Sequence, residues 1–586
     1  MICRPDFRIA IALLLGSISL AGCDETASEL SAIDAARAEL AQGNWLAAQI
    51  NLEAALESGV SREDVAALFG EAELQEGDFA SARAWLGPGQ FSPETQALGF
   101  RMLGRLEMSD GNLPAAGRAF DSAYRADPDN AELWVDIGRL RYRGGEQLQA
   151  IEAAERALEL DPEDAQALRF RGQLARDADG LEAGARLLGR ALEKLPQDID
   201  LRVEYAATLG DAGLAKAALQ TLRAGDAAAA VTPKGLFVQS VIAARGGNIS
   251  LARDLLQRSE LEQQGVQSAE LLSAIIDLEA GNSASATQSL DRLYQRQPDN
   301  RRVRDLFAFA LSRIGGEREL IDRFAEDAIG PSGSTYLRTL VGRAYEAIGE
   351  REAAARFLDL AAHGNPALSV LPSRSSPQDP DLSDRRSAVG TRDFVRHAIA
   401  GRDNSGGVGR ARELARLLPG SADAFSILGD AEFAAGNKPA ARTAYERSAA
   451  VRRPWPLALR LAGVLQNAGA VKGLLVAYVR DNPMNGEAVA ILADAYAAEG
   501  DWDRAVTLLD HAMGLGMERV PWVLAARSIG ALQQGDSETA LAFALAAHEL
   551  QPMNPLVVSA LIEALPEEEV AARSELQAKL RSLIQS

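Results

Sequence analysis

Thiols, aromatic rings and histidines are scarce in this chain of 586 residues. It contains two cysteines, Cys3 and Cys23, together with four histidines and 5% aromatic residues. Because both cysteines lie near the start, the rest of the sequence can form no internal disulfide and no thiolate metal cluster. None of the four histidines stands in a metal-ligand spacing such as HExxH. The fold must therefore be held together without crosslinks, and we predict no metal site.

Basic residues are outnumbered as well. The chain has 61 Lys and Arg against 82 Asp and Glu, which gives a formal net charge of -21. Binding to nucleic acid or to anionic lipid requires clustered Lys and Arg that neutralise phosphates. We therefore expect no nucleic-acid partner.

Sequence motifs for catalysis and for cofactors are also missing. Neither the phosphate-binding pattern GxxxxGK[ST] nor the nucleophile pattern GxSxG occurs. The segment "GGVGRA" at 406–411 imitates part of a dinucleotide fingerprint but follows "RDNS" rather than a strand, so we do not read it as a nucleotide site. We predict that the protein is not an enzyme and binds no cofactor.

The chain is long and contains much alanine. A single hydrophobic core stops growing at about 250 to 300 residues, so several domains or an open-ended repeat array must form. Hydrophobic residues make up 47% of the sequence. With few aromatic residues among them, this composition favours close-packed helices over sheets.

Glycine and proline recur with a period of 34 residues. A glycine at the end of a first helix permits the positive φ of a helix C-terminus. A proline ends the second helix because it cannot continue it, and a glycine inside the first helix lets two helices approach closely. The three series are Gly43, Gly77, Gly111, Gly145, Gly213, Gly247, Gly281, Gly315 and Gly349; Pro128, Pro162, Pro196, Pro298 and Pro366; and Gly70, Gly104, Gly138, Gly172 and Gly342.

The unit at 131–164 resembles the tetratricopeptide repeat. Its Trp134, Gly138, Ala150, Ala157 and Pro162 match that family's W, G, A, A and P positions. The resemblance implies an all-α protein, a right-handed α-solenoid of about fourteen helix pairs, each of which buries its apolar face against its neighbours.

The repeat register divides the sequence into segments. Ten units of 34 residues fill 29–368, and a segment rich in Ser, Pro and Asp at 369–387 indicates an exposed or disordered insertion. A second array with a degenerate first unit is expected over 388–554. The more polar second half of 555–586 is typical of a capping helix that closes a solenoid.

The N-terminus has the pattern of a targeting segment. Residues 1–22 hold two arginines and then a 12-residue apolar run, too short to span a bilayer but typical of a signal peptide. The following "LAGC" resembles the lipobox of bacterial lipoproteins, which implies that Cys23 carries lipid and that 23–28 is a tether. Asp24 resembles an inner-membrane retention signal, although an outer-membrane location stays open. The alternatives are an ordinary signal peptide with a chance cysteine, or a cytosolic protein with an apolar start.

Three bulky aromatic residues occupy one repeat position at the start of a second helix. Trp45, Phe79 and Trp502 each follow a Gly-Asn or Gly-Asp pair. A large side chain there would wedge against the first helix, so we predict that all three belong to the core rather than to a binding surface.

By the same resemblance, positions 2, 5, 9 and 12 of each unit line a concave groove. In three consecutive units these positions hold basic and aromatic residues: Arg101, Arg105, Arg139, Tyr142, Arg169 and Arg176, with Arg143 adjacent. Near the C-terminus they hold acidic ones: Asp423, Asp430, Glu487 and Asp494. Two interpretations stay open. The faces are ordinary solvated helix surfaces, or the arginines recognise the carboxylates of a peptide or an acidic polysaccharide through bidentate pairing.

Two functions are consistent with these patterns. The first is a membrane-anchored periplasmic scaffold for protein–protein interactions in the cell envelope, similar in build to tetratricopeptide lipoproteins of exopolysaccharide synthesis and export, including exosortase-associated ones. The second is an accessory factor or chaperone that binds polypeptide segments during outer-membrane protein assembly or cytochrome maturation.

Overall fold

A computed structural model describes residues 32–330, 333–362 and 384–585. The predicted signal peptide and tether, with Cys23 and Asp24, lie outside the described residues. Most of the predicted insertion at 369–387 lies outside them too. Over the described ranges every regular element is a helix and no strand occurs, so the predicted all-α fold class is confirmed.

The chain divides into two compact units at Pro128 and Asp129. Unit 1 contains six helices: α1 (Ala32–Gln42), α2 (Trp45–Glu57), α3 (Arg62–Glu76), α4 (Phe79–Leu86), α5 (Gln96–Ser109) and α6 (Leu113–Ala126).

Unit 2 contains two arrays. The front array comprises α7 (Ala131–Arg143), α8 (Gln147–Leu160), α9 (Ala165–Ala178), α10 (Leu181–Lys194), α11 (Ile199–Asp211), α12 (Ala215–Arg223), α13 (Ala228–Val231), α14 (Pro233–Arg245), α15 (Ile249–Ser259), α16 (Gln267–Glu279), α17 (Ser283–Arg296), α18 (Arg301–Arg313), α19 (Glu317–Ile329), α20 (Thr335–Ala347) and α21 (Arg351–Ala362). The back array comprises α22 (Ala388–Ala400), α23 (Asn404–Leu417), α24 (Ala422–Ala434), α25 (Lys438–Ala449), α26 (Trp455–Val464), α27 (Ala468–Asp481), α28 (Gly486–Ala497), α29 (Trp502–Ala512) with a π-helical turn at Met513–Met517, α30 (Pro521–Gln533), α31 (Ser537–Leu550), α32 (Pro555–Ala564) and α33 (Val570–Gln585).

The 34-residue period sets where helices begin and end. Gly145, after α7, has a φ of 79°, a conformation that costs other L-residues energy. At the opposite end of the same helix, the Asn130 side chain accepts a hydrogen bond from the backbone N–H of Leu133 at 2.9 Å. This N-cap satisfies one of the amides that the first helical turn leaves unpaired. The predicted positive φ is confirmed along the glycine series.

A small residue at the eighth position of each repeat unit, within its first helix, lets the second helix approach. A Cβ built on Gly104 would lie 2.3 Å from the ring of Phe120, and one on Gly429 would lie 2.3 Å from the ring of Tyr445. We call this the approach position. Over the described helix pairs it holds Gly, Ala or Ser except at Val395 and Ile562.

The number of pairs and the C-terminal end differ from the prediction. Apart from the short α13, the described helices form sixteen pairs rather than about fourteen, three in unit 1 and thirteen in unit 2. The back array has five units before residue 555, as the sequence predicts, and α32 and α33 form a further pair. Segment 555–586 is not one capping helix but two, since "LPEEE" at 565–569 interrupts it between α32 and α33.

The prediction that three aromatic residues are core residues is wrong for one of them. Phe79, the first residue of α4, is 48% exposed. Trp45 is half-buried beside the cluster formed by α1 to α3. Trp502 is also half-buried, with its ring 3.6 Å from a Cβ built on Gly530.

Candidate functional site

The first two predicted groove residues lie in unit 1. Arg101 and Arg105 are both on α5, on adjacent turns of one helix face, and both are half-exposed. The Arg105 guanidinium lies 3.8 Å from the Sδ atom of Met102 on the same helix. The structure therefore brings this pair together on an accessible surface of unit 1.

In unit 2, Arg139 is held by its neighbours. Its Nη1 lies 3.4 Å from Oδ1 of the buried Asp136, and its Nη2 donates to Oε1 of Gln166 at 3.2 Å. The guanidinium also stands 5.8 Å from the centre of the Phe170 ring. These contacts come from its own helix and from the next first helix, α9.

Arg169 and Arg176 are paired with carboxylates from the following unit. Arg169 donates to Glu204 at 2.9 Å and to Asp198 at 3.3 Å, and Arg176 donates to Asp211 at 3.0 Å. Each half-exposed pair of this kind contributes about 0 to 1 kcal/mol to stability. The predicted basic stripe is therefore largely neutralised within unit 2, and its binding role stays a prediction.

Tyr142 and Arg143 lie at the C-terminal end of α7 and are exposed. Tyr142 faces the back array, where it lines a small gap together with Gln173, Val451 and Arg452. Tyr142 is 40% exposed, so its side chain stands at the edge of this gap and keeps part of its surface in solvent.

The predicted acidic positions have different surroundings. Asp430 is 1% exposed, accepts a hydrogen bond from the Tyr445 hydroxyl at 2.7 Å and lies 3.2 Å from Nε of Arg460. Burial raises the pKa of Asp430 to about 6, although the two partners favour its ionised form. Glu487 accepts a bond from the indole N–H of Trp455 at 2.9 Å.

Of the other two acidic residues, Asp494 is exposed on α28. Asp423 accepts a hydrogen bond from Nε2 of Gln147 at 3.1 Å. The four residues therefore form no continuous acidic groove face, since Asp430 is inside the protein and Asp423 contacts the front array.

The front and back arrays contact each other at α8 and α24. Besides its bond to Asp423, the buried Gln147 accepts a hydrogen bond from the Ala422 amide at 3.0 Å. The Leu148 amide donates to the carbonyl of Gly420 at 3.0 Å, and Arg386 pairs with Glu146 at 3.0 Å. Backbone and side-chain bonds together fix the register of this contact.

A glycine stands where the back array approaches α8. A Cβ built on Gly420 would lie 2.0 Å from Oε1 of Gln149, so a side chain at 420 would require the end of the Gln149 side chain to move. Farther along, the Arg453 amide donates to the carbonyl of Asp177 at 3.1 Å, and a Cβ on Gly213 would lie 3.1 Å from Sδ of Met484.

The same two arrays meet again at α18 and α20. The buried Arg396 pairs with Asp299 at 2.9 Å. Arg343 donates to the carbonyl of Glu549 at 3.0 Å, and Gln551 donates to Thr339 at 3.1 Å.

Several of these residues stand at predicted groove positions. Thr339 is position 5 of its unit, Arg343 is position 9 and Tyr142 is position 12. Phe309, position 9 of the unit before, lies 5.4 Å from the Arg519 guanidinium. The back array therefore occupies part of the surface that the sequence assigns to a partner.

The sequence prediction missed this contact. Gln147 and Asp423 are 276 residues apart, and no local pattern links them. The only local signal is "LPGS" at 418–421, a turn whose glycine the 34-residue period does not require.

Membrane spans and metal clusters are absent from the described part of the chain. No helix there is both long enough and apolar enough to cross a bilayer. Among the same residues, no group of three or more His, Cys, Asp or Glu side chains could hold a metal ion.

Comparison with known families identifies the repeat. A model described as "Tetratricopeptide repeat" matches residues 33–87, 101–153, 135–199 and 392–458. No curated protein matches the sequence.

Three solved structures are similar to the chain. The APC/C heterotetramer Cut9–Hcn1 covers 91% of this chain and 95% of its own, at 14% identity and a TM-score of 0.26. A thermophilic TPR protein of Thermus thermophilus covers 30% and 97%, at 23% identity and a TM-score of 0.26. MamA covers 28% and 95%, at 18% identity and a TM-score of 0.24. Scores of this size support no transfer of function.

Replacing Gln147 with leucine tests the contact between the arrays. The substitution leaves the Ala422 amide without its acceptor, which costs about 1 to 3 kcal/mol. We expect amide hydrogen exchange in 418–424 to become roughly tenfold faster. Gln220→Leu, on the exposed side of α12, is the matched control and should leave that segment unchanged. Equal exchange in the two variants would contradict the contact.

Asp430 predicts a pH dependence of stability. Burial raises the pKa of Asp430 from 3.8 to about 6, so the folded protein binds the proton more tightly than the unfolded chain does. The stabilising contribution of this proton to the free energy of unfolding is complete below pH 3.8, the pKa of the unfolded chain, and is lost as the pH rises through 6. Between pH 5 and pH 7.5 the natural chain should lose about 1.4 kcal/mol relative to Asp430→Asn, which cannot titrate. Urea unfolding at the two pH values measures this difference, and parallel curves would refute it.

Proposed function

We propose that the chain is a tetratricopeptide-repeat protein and that it acts as a lipid-anchored scaffold of the bacterial cell envelope that faces the periplasm. Repeats of this family mediate protein–protein interactions, so the partners are other proteins or peptide segments. The observation that carries the scaffold role is that the described chain consists of stacked helix pairs throughout, a form that presents extended surfaces.

The anchor rests on the sequence pattern at residues 1–28. A charged start, an apolar run and "LAGC" occur in the order that a lipoprotein needs. Acyl chains on Cys23 would bind a membrane stably, since each buried methylene contributes about 0.8 kcal/mol. Asp24 favours the inner membrane, with the outer membrane as the alternative.

The proposed partner surface is the face of α5 that carries Arg101 and Arg105. Half-exposed guanidinium groups on one helix face suit a partner that presents carboxylates, in a peptide or in an acidic polysaccharide. In unit 2 Arg169 and Arg176 pair with Glu204 and Asp211, whereas Arg105 makes no ion pair with any residue that the structure describes, so the surface around Arg105 is the better candidate.

The finer proposal is a role in exopolysaccharide synthesis or export, such as in an exosortase-associated system. The second candidate is an accessory factor that captures polypeptides during outer-membrane protein assembly or cytochrome maturation. Crosslinking in cells separates the two, because glycosyltransferase or export-pore partners support the first and nascent envelope proteins support the second.

Replacing Cys23 with serine tests the anchor. The variant cannot be acylated on sulfur, so we expect the protein to move from the membrane fraction to the soluble fraction. Cys3→Ser is the matched control and should leave the protein with the membrane, because Cys3 precedes the proposed cleavage site. Membrane association that persists in Cys23→Ser would contradict the proposal.

Charge reversal at Arg105 tests the partner surface. Arg105→Glu replaces a charge-assisted hydrogen bond by repulsion, and we expect partner capture to fall roughly tenfold or more. The control is Arg118→Glu, on the exposed side of α6 in the same unit. Circular dichroism should be equal for both variants. If both capture the partner as well as the natural chain, the α5 face is not the binding surface.

A further inference from the structure

The contact between the front and back arrays differs in kind from the contacts within each array. Within the arrays, hydrophobic clusters of described residues hold neighbouring helices together, such as those around Phe307 and Leu188 in the front array and those around Phe425 and Tyr445 in the back array. Each of these clusters lies in one array only. The stacks of helices are therefore held by burial of apolar surface, which does not depend on ionic attraction.

Hydrogen bonds and ion pairs predominate where the two arrays meet. The Leu148 amide donates to the carbonyl of Gly420 at 3.0 Å, for example. Apolar contact there comes from single side chains such as Leu418, which would lie 3.8 Å from a Cβ built on Gly145. Each hydrogen bond of this kind adds little net stability, because water replaces the partner when the arrays separate.

The ion pairs across the arrays share one polarity. In the pairs that the described residues form, the back array supplies the arginine and the front array supplies the carboxylate. The pairs are Arg386 with Glu146 at 3.0 Å, Arg396 with Asp299 at 2.9 Å and Arg452 with Asp177 at 3.8 Å. Attraction between a basic edge and an acidic edge brings the arrays together and sets their register.

Like charges oppose the docking at one place. The Nη2 atom of Arg301, on α18 of the front array, is buried and has no hydrogen-bond partner among the described residues. Burial lowers the pKa of Arg301, and the neighbouring Arg304 lowers it further, as do Arg460 and Arg396 of the back array, although Asp305 raises it. The docked state therefore keeps a poorly compensated cation at the contact, and separation of the arrays would return this group to water.

Salt reaches the ion pairs between the arrays. The Arg386 side chain is 57% exposed, and that of Asp177 is 59% exposed. The screening length of salt falls from about 10 Å at about 0.1 M to about 3 Å at about 1 M. Screening therefore weakens the docking of the arrays more than it weakens the stacking within them.

We propose that the docking of the back array on the front array is a reversible electrostatic closure, which opens as ionic strength rises and leaves both stacks of helices intact. In the closed form Thr339 and Arg343, at predicted groove positions, are bonded to the back array. In the open form these two groups face solvent and become available to a partner. The closure depends on neither the lipid anchor nor the α5 face, so it stands or falls apart from them.

Double electron–electron resonance between two spin labels tests the closure in the full chain. Helices α10 and α27 approach each other where a Cβ built on Gly180 would lie 2.8 Å from the Cβ of Asp481. Arg186→Cys and Val476→Cys place the labels at exposed positions of these two helices, with both native cysteines replaced by serine. We expect one short distance at low salt, and a second, longer distance whose share grows at least roughly threefold toward about 1 M sodium chloride.

Charge reversal tests the polarity of the contact. Arg386→Glu combined with Arg452→Glu places acidic groups against the carboxylates of the front array, so the longer distance should dominate already at low salt. The matched control is Arg385→Glu combined with Arg442→Glu, because these two arginines pair with glutamates of their own array. The control should keep the short distance at low salt.

Three results would overturn the proposal. The first is a single distance that neither salt nor the combined Arg386→Glu and Arg452→Glu substitutions change. The second is an equal response of that variant and its control, since the effect would then come from net charge alone. The third is a longer distance that appears only together with a loss of helical content in circular dichroism, because the stacks and not the docking would then have come apart.

Discussion

The close approach of two helices at one small residue is the constraint on which the other features of this protein depend. Where Gly104 faces Phe120 or Gly429 faces Tyr445, there is no room for a Cβ. The large ring of one helix therefore fills the space that the missing side chain of the other leaves, and the pair forms a single rigid layer. Identical spacing within each layer lets successive layers stack in register.

Regular stacking also explains why carboxylates neutralise much of the predicted basic stripe. When layers repeat every 34 residues, a side chain on one first helix lies opposite a residue about one unit further along. Arg169 meets Glu204 and Arg176 meets Asp211, each 35 residues away. A stripe that looks basic in one unit is thus neutralised by the next, and charge counts along single helices overestimate the field that a partner would meet.

Contacts between neighbouring units could be predicted from the sequence, whereas contacts across the array could not. The glycine and proline series predicted the helix pairs, the positive φ of Gly145 and the small residue at Gly138, because these depend on residues within one period. The bond from Gln147 to Asp423 spans 276 residues and depends on how small rotations between layers add up. The exposure of Phe79 was not predicted either, because an equivalent position in the repeat does not fix how much of a side chain its neighbours cover.

The back array docks on the front array and covers part of the surface that the sequence predicts to be a binding groove. Thr339 and Arg343 stand at positions that an open solenoid would offer to a ligand, but here they form hydrogen bonds with residues of the back array. These contacts are mostly single hydrogen bonds and ion pairs, so they specify position more than they add stability. A partner of the docked form must therefore be recognised on surfaces that the contacts between the two arrays leave accessible.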